Sequence, residues 1–511
     1  MSARHTTLAF AITALLGGCA ILSPPDSAQI RADALYGTEL SAHWTADTPP
    51  SGKVGDNWLA TFNDEQLDKL VVEALKRNPD LRAAAAQVEQ SAAYADIAQA
   101  QLLPSLSLFG TGGIKGGGGG DMSSALSGAM LAISWEPDLW GRLRYGRNAA
   151  NEDYASAQAD YEFARQSMAA QVARSWFLAT ETKLQLAAAQ DMVKASGELV
   201  RLSEDRQRIG NGSNRDVSLA RANLGNLQDG VRQASLAHEQ ALRSLELLVG
   251  RYPSAELEAA PALPEFPESV PVGMPLNVLE RRPDMIAAER RVAAAFNRVG
   301  EAKAAKLPML PLNASIATLS SEVLNLKEDY ENPSGGAGAK LLAPLYRGGE
   351  LDANVEVRTA QQREALARYA GQALKALGDV ENALATSKSL ADRVGLLAQV
   401  LADQETTLKY EQELFRIGRQ DLRAVQQQQM AVQSARMSLL RVQSEQLIQR
   451  VNLHLALGGS FAEPVEVATS ESSAFVGPPC PDATVRGKRS NKVRTRRAWQ
   501  ASIEPAPGVA A

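Results

Sequence analysis

Aromatic residues make up only 5% of this 511-residue chain, cysteine occurs twice and histidine four times. An aromatic-poor chain whose apolar content leans on alanine does not build one large globular core; it suits long helices packed closely side by side. Cys19 and Cys480 give no disulfide framework, and His5, His43, His238 and His454 are scattered without metal-ligand spacing. No G-x-S-x-G turn and no Walker loop is present, and no helix opens after the glycine run at 116–120, as a phosphate loop would require. The chain therefore reads as a non-enzyme with no cofactor and no metal. A net charge of −5 is too mild to imply nucleic acid as a partner. Beyond the N-terminus no apolar run reaches the roughly eighteen residues of a transmembrane helix.

Proline is missing where its absence matters most. None occurs between Pro137 and Pro253, or between Pro344 and Pro464. Each span is interrupted once near its middle, at RQRIGNGSNRD (206–216) and at LFRIGRQDL (414–422). The first uninterrupted helical pattern, about 146 to 209, would be roughly 95 Å long. A helix of that length survives only if neighbours cover its apolar stripe throughout.

The N-terminus carries Arg4 and His5, the apolar run LAFAITALLGG, and then Cys19. That is a secretory signal peptide ending in a bacterial lipobox, Leu16-Gly17-Gly18-Cys19. Residues 1–18 are expected to be removed, and Cys19 to carry a diacylglycerol and an N-acyl chain. Ala20, where an aspartate would retain a lipoprotein at the inner membrane, favours sorting to the outer membrane.

The rest of the chain is written twice. NPDLRAAAAQVEQ (78–90) returns as RPDMIAAERRVAA (282–294), AQAQLLPSLSL (98–108) as AKAAKLPMLPL (302–312), EPDLWGRLR (136–144) as APLYRGGELD (343–352), RQRIG as LFRIG, and LELLVG (245–250) as HLALGG (454–459). In each copy a helix precedes an alanine-rich helix, two alternating strands and a long helical hairpin. In the first copy Asn63 and Gln66 form an N-x-x-Q capping signal, and Asn78-Pro79 opens the alanine-rich helix, which runs to Pro104. Leu106 and Leu108, then Leu131, Ile133 and Trp135, alternate with small or polar residues; Leu312, Ala314 and Ile316 do so in the second copy, where a weaker strand ends near Pro344. Strands of about ten residues match a tilted bilayer crossing. The expected organisation is a lipidated extension over 19–62, a first repeat over 63–251, a proline-rich linker over 252–276, a second repeat over 277–460 and a disordered tail over 461–511. Four strands cannot close a membrane barrel, whose smallest form has about eight. Open edges in lipid would leave backbone groups unpaired. The protein must oligomerise; two copies give eight strands, three give twelve, and counting does not choose between them.

These residues resemble the outer-membrane efflux protein family, the TolC-like channels, and within it the NodT-like lipoprotein branch associated with RND efflux. The likeness rests on DNWLATFNDEQLDKLVVEALKRNPDL, SWEPDLWGRLR, RIGNGSNRDV, ERRPDMIAAER and RIGRQDL, and covers about residues 20–460. It implies a mainly α fold with a membrane β-barrel portion: a homotrimer whose twelve-stranded barrel continues as a long α-helical barrel into the periplasm. It implies the exit duct of a tripartite pump for drugs or other small toxic compounds, joined by a periplasmic adaptor to an inner-membrane RND-type transporter. A type I protein-secretion duct is the alternative. The interruptions would be periplasmic hairpin tips, with Gly210, Gly212, Ser213 and Gly418 at the turns and the adaptor surface. Arg419 and Asp421, then Arg215 and Asp216, would be the ionic candidates for holding the entrance shut. Many members of that family carry an acid after the second turn, where Ala424 to Gln429 has none.

Overall fold

The computed structural model describes residues 22–38, 41–46, 52, 54–111, 126–267, 271–321 and 334–461. Cys19, the glycine run, Cys480 and the tail after Phe461 lie outside the described residues. After a short helix α1 (Ser27–Ala34) and a 3-10 turn (Trp58–Phe62), the order is α2 (Glu65–Arg77), α3 (Pro79–Ala100), β1 (Ser105–Thr111), β2 (Leu126–Trp135), α4 (Arg142–Arg208) and α5 (Asn214–Val249). The second copy runs α6 (Pro275–Arg281), α7 (Pro283–Ala304), β3 (Leu312–Ser321), β4 (Ser334–Ala339), α8 (Glu350–Arg416) and α9 (Leu422–Ala456).

The caps explain most boundaries. The cap of α2 is Asp64, not Asn63: its carboxylate accepts from the Gln66 and Leu67 N–H groups, both at 3.0 Å, while Asn63 (φ +50°) closes the preceding 3-10 turn. An anion one residue nearer the helix N-terminus is the better acceptor there. Asn78 caps α3 as expected, accepting from Asp80 at 2.8 Å, with Pro79 in the first turn. The strand expected near Pro344 ends earlier, at Ala339, and a lone bridge between Met309 and Leu342 follows.

Each alanine-rich helix stacks end to end on the short arm of its hairpin. Asn78 Nδ2 donates to the Leu248 carbonyl at the end of α5 (2.9 Å), and Arg282 Nη1 donates to the Ala456 carbonyl at the end of α9 (3.2 Å). Gly250 (φ +81°) and Gly458 (φ +68°) allow both junctions; a Cβ would meet the Arg77 backbone at 3.1 Å and the Arg282 backbone at 3.0 Å. The broken columns α3/α5 and α7/α9 alternate with the 67-residue helices α4 and α8, each about 100 Å long, in the order α3/α5, α4, α7/α9, α8. Among the described residues no helix is long and apolar enough to cross a membrane.

The main core lies part-way along the helices, where Trp58, Phe62, Trp176 and Phe177 pack with aliphatic residues of α2, α5 and α9. Trp176 Nε1 donates to Asp64 Oδ2 at 2.7 Å, fastening α4 to the cap of α2. The linker is held there by buried Glu246, whose carboxylate accepts from the N–H groups of Ala255, Glu256 and Leu257 at 2.7, 2.9 and 3.0 Å.

Candidate functional site: channel wall and helical tips

The four strands form one antiparallel sheet in chain order, β1-β2-β3-β4, so β1 and β4 are its edges. The register sorts the side chains into two faces. Leu106 pairs with Ile133, Ile133 with Ala314 and Ala314 with Ala337; one step along, Leu108, Leu131 and Ile316 line up. The other face carries Ser105, Ser134 and Asn313, then Ser107, Ala132 and Ser315. Leu106, Leu108 and Ile316 are 65%, 75% and 57% exposed, a cost in water that vanishes in hydrocarbon. Over these two steps the sheet is apolar on one side and hydroxyl-lined on the other, as a wall between lipid and water is; one step further Phe109 and Met130 stand on the hydroxyl side. Trp135 and Trp140 sit at its helical end, with indole N–H groups donating to the Leu102 and Pro308 carbonyls.

At the opposite end of the helices lie the two hairpin tips. In the first, α4 stops at Arg208, Gly210 turns at φ +80°, and Ser213 caps α5 in a closed box. Ser213 Oγ donates to Asp216 Oδ2 at 2.7 Å and accepts the Asp216 N–H at 3.1 Å. Gly212 is required by packing, since a Cβ would lie 2.8 Å from the Gln207 backbone nitrogen. In the second tip Gly418 turns at φ +78°, and Asp421 caps α9 through the Arg423 N–H at 3.3 Å. Arg416 beside Glu413 holds that exposed carboxyl below its ordinary pKa.

The two tips meet through residues the sequence reading did not single out. Arg206 Nη1 donates to the Phe415 carbonyl, its guanidinium lies 4.6 Å from the Phe415 ring centroid, and Nη2 reaches the Asn211 carbonyl at 3.4 Å. Around this tie Leu199, Val200, Ala220, Phe415, Leu422 and Val425 form an apolar cluster. The arginine opens the repeated RQRIG stretch, but its counterpart in the second copy is Leu414, and its partner is a backbone carbonyl in the other copy, which no spacing reveals. Arg215 and Asp216 are not brought against Arg419 and Asp421: within the protomer no ion pair joins them; Asp421 caps α9, and Asp216 closes the capping box of Ser213 by accepting its N–H at 3.2 Å. Gln428 of the acid-free stretch donates to the Gln404 carbonyl at 2.9 Å, joining the arms of the second hairpin. Among the described residues no group of three or more His, Cys, Asp or Glu side chains is gathered as metal ligands.

Known proteins share this architecture. The family model described as outer membrane efflux protein matches residues 70–251 and 274–459. The cation efflux system protein CusC of Escherichia coli O6:H1 is 27% identical over 415 residues, 80% of this chain and 88% of CusC. The pyoverdine export outer membrane protein OpmQ of Pseudomonas putida is 29% identical over 479 residues, 90% of this chain and 98% of OpmQ. The outer-membrane channel CmeC of Campylobacter jejuni superposes with a TM-score of 0.77 at 21% identity, over 88% of this chain and 96% of CmeC. Those channels have the TolC-like fold, and the four-stranded sheet above paired helical hairpins is the protomer of that fold. The chain belongs to the outer membrane efflux protein family: it is an outer-membrane efflux channel and not an enzyme.

Proposed function

We propose that this chain is the exit duct of a tripartite efflux pump that expels drugs or other small toxic compounds. In this reading it works as a homotrimer, receiving its cargo through a periplasmic adaptor from an inner-membrane RND-type transporter. The observation that carries the reading is the two-faced sheet with unpaired edges on β1 and β4. Three copies joined edge to edge make twelve strands with no edge left in lipid. An open duct selects little. CusC and OpmQ are named for cargoes as different as a cation and pyoverdine, so cargo choice rests with the inner-membrane pump.

The lipobox makes Cys19 the anchoring residue, and the backbone supports that placement. Leu22, three residues on, donates its N–H to Tyr145 Oη at 2.9 Å, one turn into α4 and close below the sheet. In this reading the acyl chains on Cys19 enter the outer membrane, each buried CH₂ contributing about 0.8 kcal/mol. The tips form the gate. Arg419 and Asp421 stand free of intra-protomer ion pairs and become available to neighbouring copies around the axis, with Arg215 and Asp216 beside them. A single exposed pair contributes about 0.2–1 kcal/mol, so a ring of them closes an entrance and still yields to a docked adaptor.

Deleting the gene tests the function. Sensitivity should rise to the same compounds as deletion of the cognate RND transporter, with no further rise in the double deletion. Loss of a secreted protein with unchanged drug sensitivity would favour the type I secretion duct. For the gate, Arg419→Gln combined with Asp421→Asn should admit large antibiotics that the native strain excludes. Asparagine caps a helix about as well as aspartate, so unchanged permeability at normal surface level would remove these residues from the gate.

A further inference from the structure

The apolar face of the sheet is not level. β4 reads SGGAGA and is nearly bare of side chains, whereas Leu106, Leu108, Ile133 and Trp135 stand on the same face of β1 and β2. Between Ile133 and Trp135 on one side and the bare strand on the other lies a depression of about 500 Å³, floored by Leu312, Ala314, Ala337 and Ala339. It sits at the helical end of the strands, where β2 and β4 finish and β3 begins. Membrane barrels present a continuous band of large apolar side chains to lipid; here that band thins along β4 and at Ala314 of β3, between Leu312 and Ile316.

The chain supplies its own occupant. The Leu22 N–H is held by Tyr145, whose ring lies so close to Gly300 that a Cβ there would come within 2.6 Å. Tyr145 is buried and fixed by packing from two helices, so the point at which the N-terminal segment meets the body is rigid. It is also close to the sheet. The turn between β2 and α4 is drawn tight by Arg142 on Glu136 at 3.0 Å and by Asp138, whose carboxylate accepts the Leu143 and Arg144 N–H groups at 3.1 and 2.9 Å. Trp140 ties that turn to Pro308, just ahead of β3, at 2.6 Å. From Leu22 to Cys19 the chain can reach at most about 11 Å. That reach starts at the first turn of α4, one tight turn from the helical end of the sheet, and the acyl chains extend it.

We propose that the acyl chains of Cys19 lie in this depression on their own protomer, completing the barrel's outer wall instead of floating free in the bilayer. The inference rests on the acylation of Cys19 proposed above. In a closed ring the β4 edge meets β1 of the next copy, whose leucines supply the second bank of the groove. The hydrocarbon then covers the seam at its thinnest point, and the small residues of β4 have a reason: any larger side chain would occupy the space of the chain's own lipid.

Cells expressing the full chain would be fed a palmitate carrying a diazirine and an alkyne, irradiated, and the tagged peptides of the purified protein mapped by mass spectrometry. The expected result is acyl mass on the Cys19 peptide, with photo-crosslinks at 312–314 and 337–339 enriched about tenfold over 106–108. Ala314→Phe with Ala337→Phe should disperse those crosslinks while Cys19 stays acylated. Crosslinks spread evenly over the four strands of the unaltered chain would overturn the proposal. So would crosslinks at the same sites in Cys19→Ser exported behind a non-lipoprotein signal, which would identify bulk phospholipid as the occupant. A Cys19 peptide without acyl mass would defeat the acylation reading itself, a separate and recognisable failure.

Discussion

The helices α4 and α8 are both 67 residues long and sit at equivalent places in the two copies, yet 22 residues of α4 are buried and only eight of α8. Position explains the difference. Between the two broken columns, α4 has α3 and α5 on one flank and α7 and α9 on the other, whereas α8 closes the protomer and, among the described residues, packs on α7 and α9 with only the short α1 and α6 besides. On its lower half Leu396, Val400, Tyr410, Leu414 and Ile417 recur at spacings of three and four residues or their sums, and all are exposed, Leu396 and Tyr410 at 68% each. A duplicated unit thus divides into one copy that finishes the interior and one that offers an edge to another chain.

The largest expected effect uses equivalent positions on these helices. Met192 on α4 is 9% exposed and Val400 on α8 is 43% exposed. Met192→Asp should destabilise the protomer by about 3 kcal/mol or more, because a carboxylate would be buried without a partner. Val400→Asp should leave the isolated protomer within about 0.5 kcal/mol of native and block assembly instead. Helical melting and native mass in detergent separate the two. A Val400→Asp chain that still assembles, or a Met192→Asp chain that melts normally, would break the contrast between interior and edge.

How much of this was legible depended on how local each signal is. Periodicity, proline spacing and internal repetition exposed the long helices, both tips and the alternating strands, because those features are written within a few residues of one another. The cap of α2 was misplaced by one residue, since Asn63 and Asp64 are both good caps and only backbone geometry chooses. Arg206, Glu246 and Arg282 gave no warning. Each grips backbone groups, and a carbonyl or N–H has no letter in a sequence.

The second comparison is at the ends of α5 and α9. Glu246 holds three linker N–H groups, while its counterpart His454 is buried, stacks on Trp58 at 5.8 Å, and has no hydrogen-bond partner on either ring nitrogen. Burial, helped by the charge of Arg450, pushes the His454 imidazole down to about 3. An unfolded histidine takes its proton near pH 6.5, so between that value and about 3 the unfolded chain binds a proton the folded chain refuses. Stability is therefore intact above that window and falls as the pH is lowered, by about 2 kcal/mol from pH 7 to pH 5. Thermal melts across that range should show the slope in the native chain and a shallower one in His454→Phe. An unchanged slope would mean that His454 is not the group that sets it.

The smallest effect concerns the tie between the tips. Arg206 has Leu414 as its counterpart, and Phe415 has Gln207, so the contact joins two positions that the copies do not share. In its own tip Gln207 donates to Asn214. Arg206→Lys keeps the charge but loses the planar fork and the stacking over Phe415, a change of about 1 kcal/mol. That is small beside the core and comparable to the individual pairs that could shut an entrance. Spin labels at Asn211 and Arg419 should show a broader distance distribution in Arg206→Lys, while hydrogen exchange around Trp176 stays as in the native chain. If the distribution does not widen, the apolar cluster of Leu199, Phe415 and Leu422 alone fixes the tips against each other, and Arg206 adds nothing to the tie. If exchange around Trp176 quickens as well, the helices transmit strain along their length, and the two ends of the duct cannot be treated as independent devices.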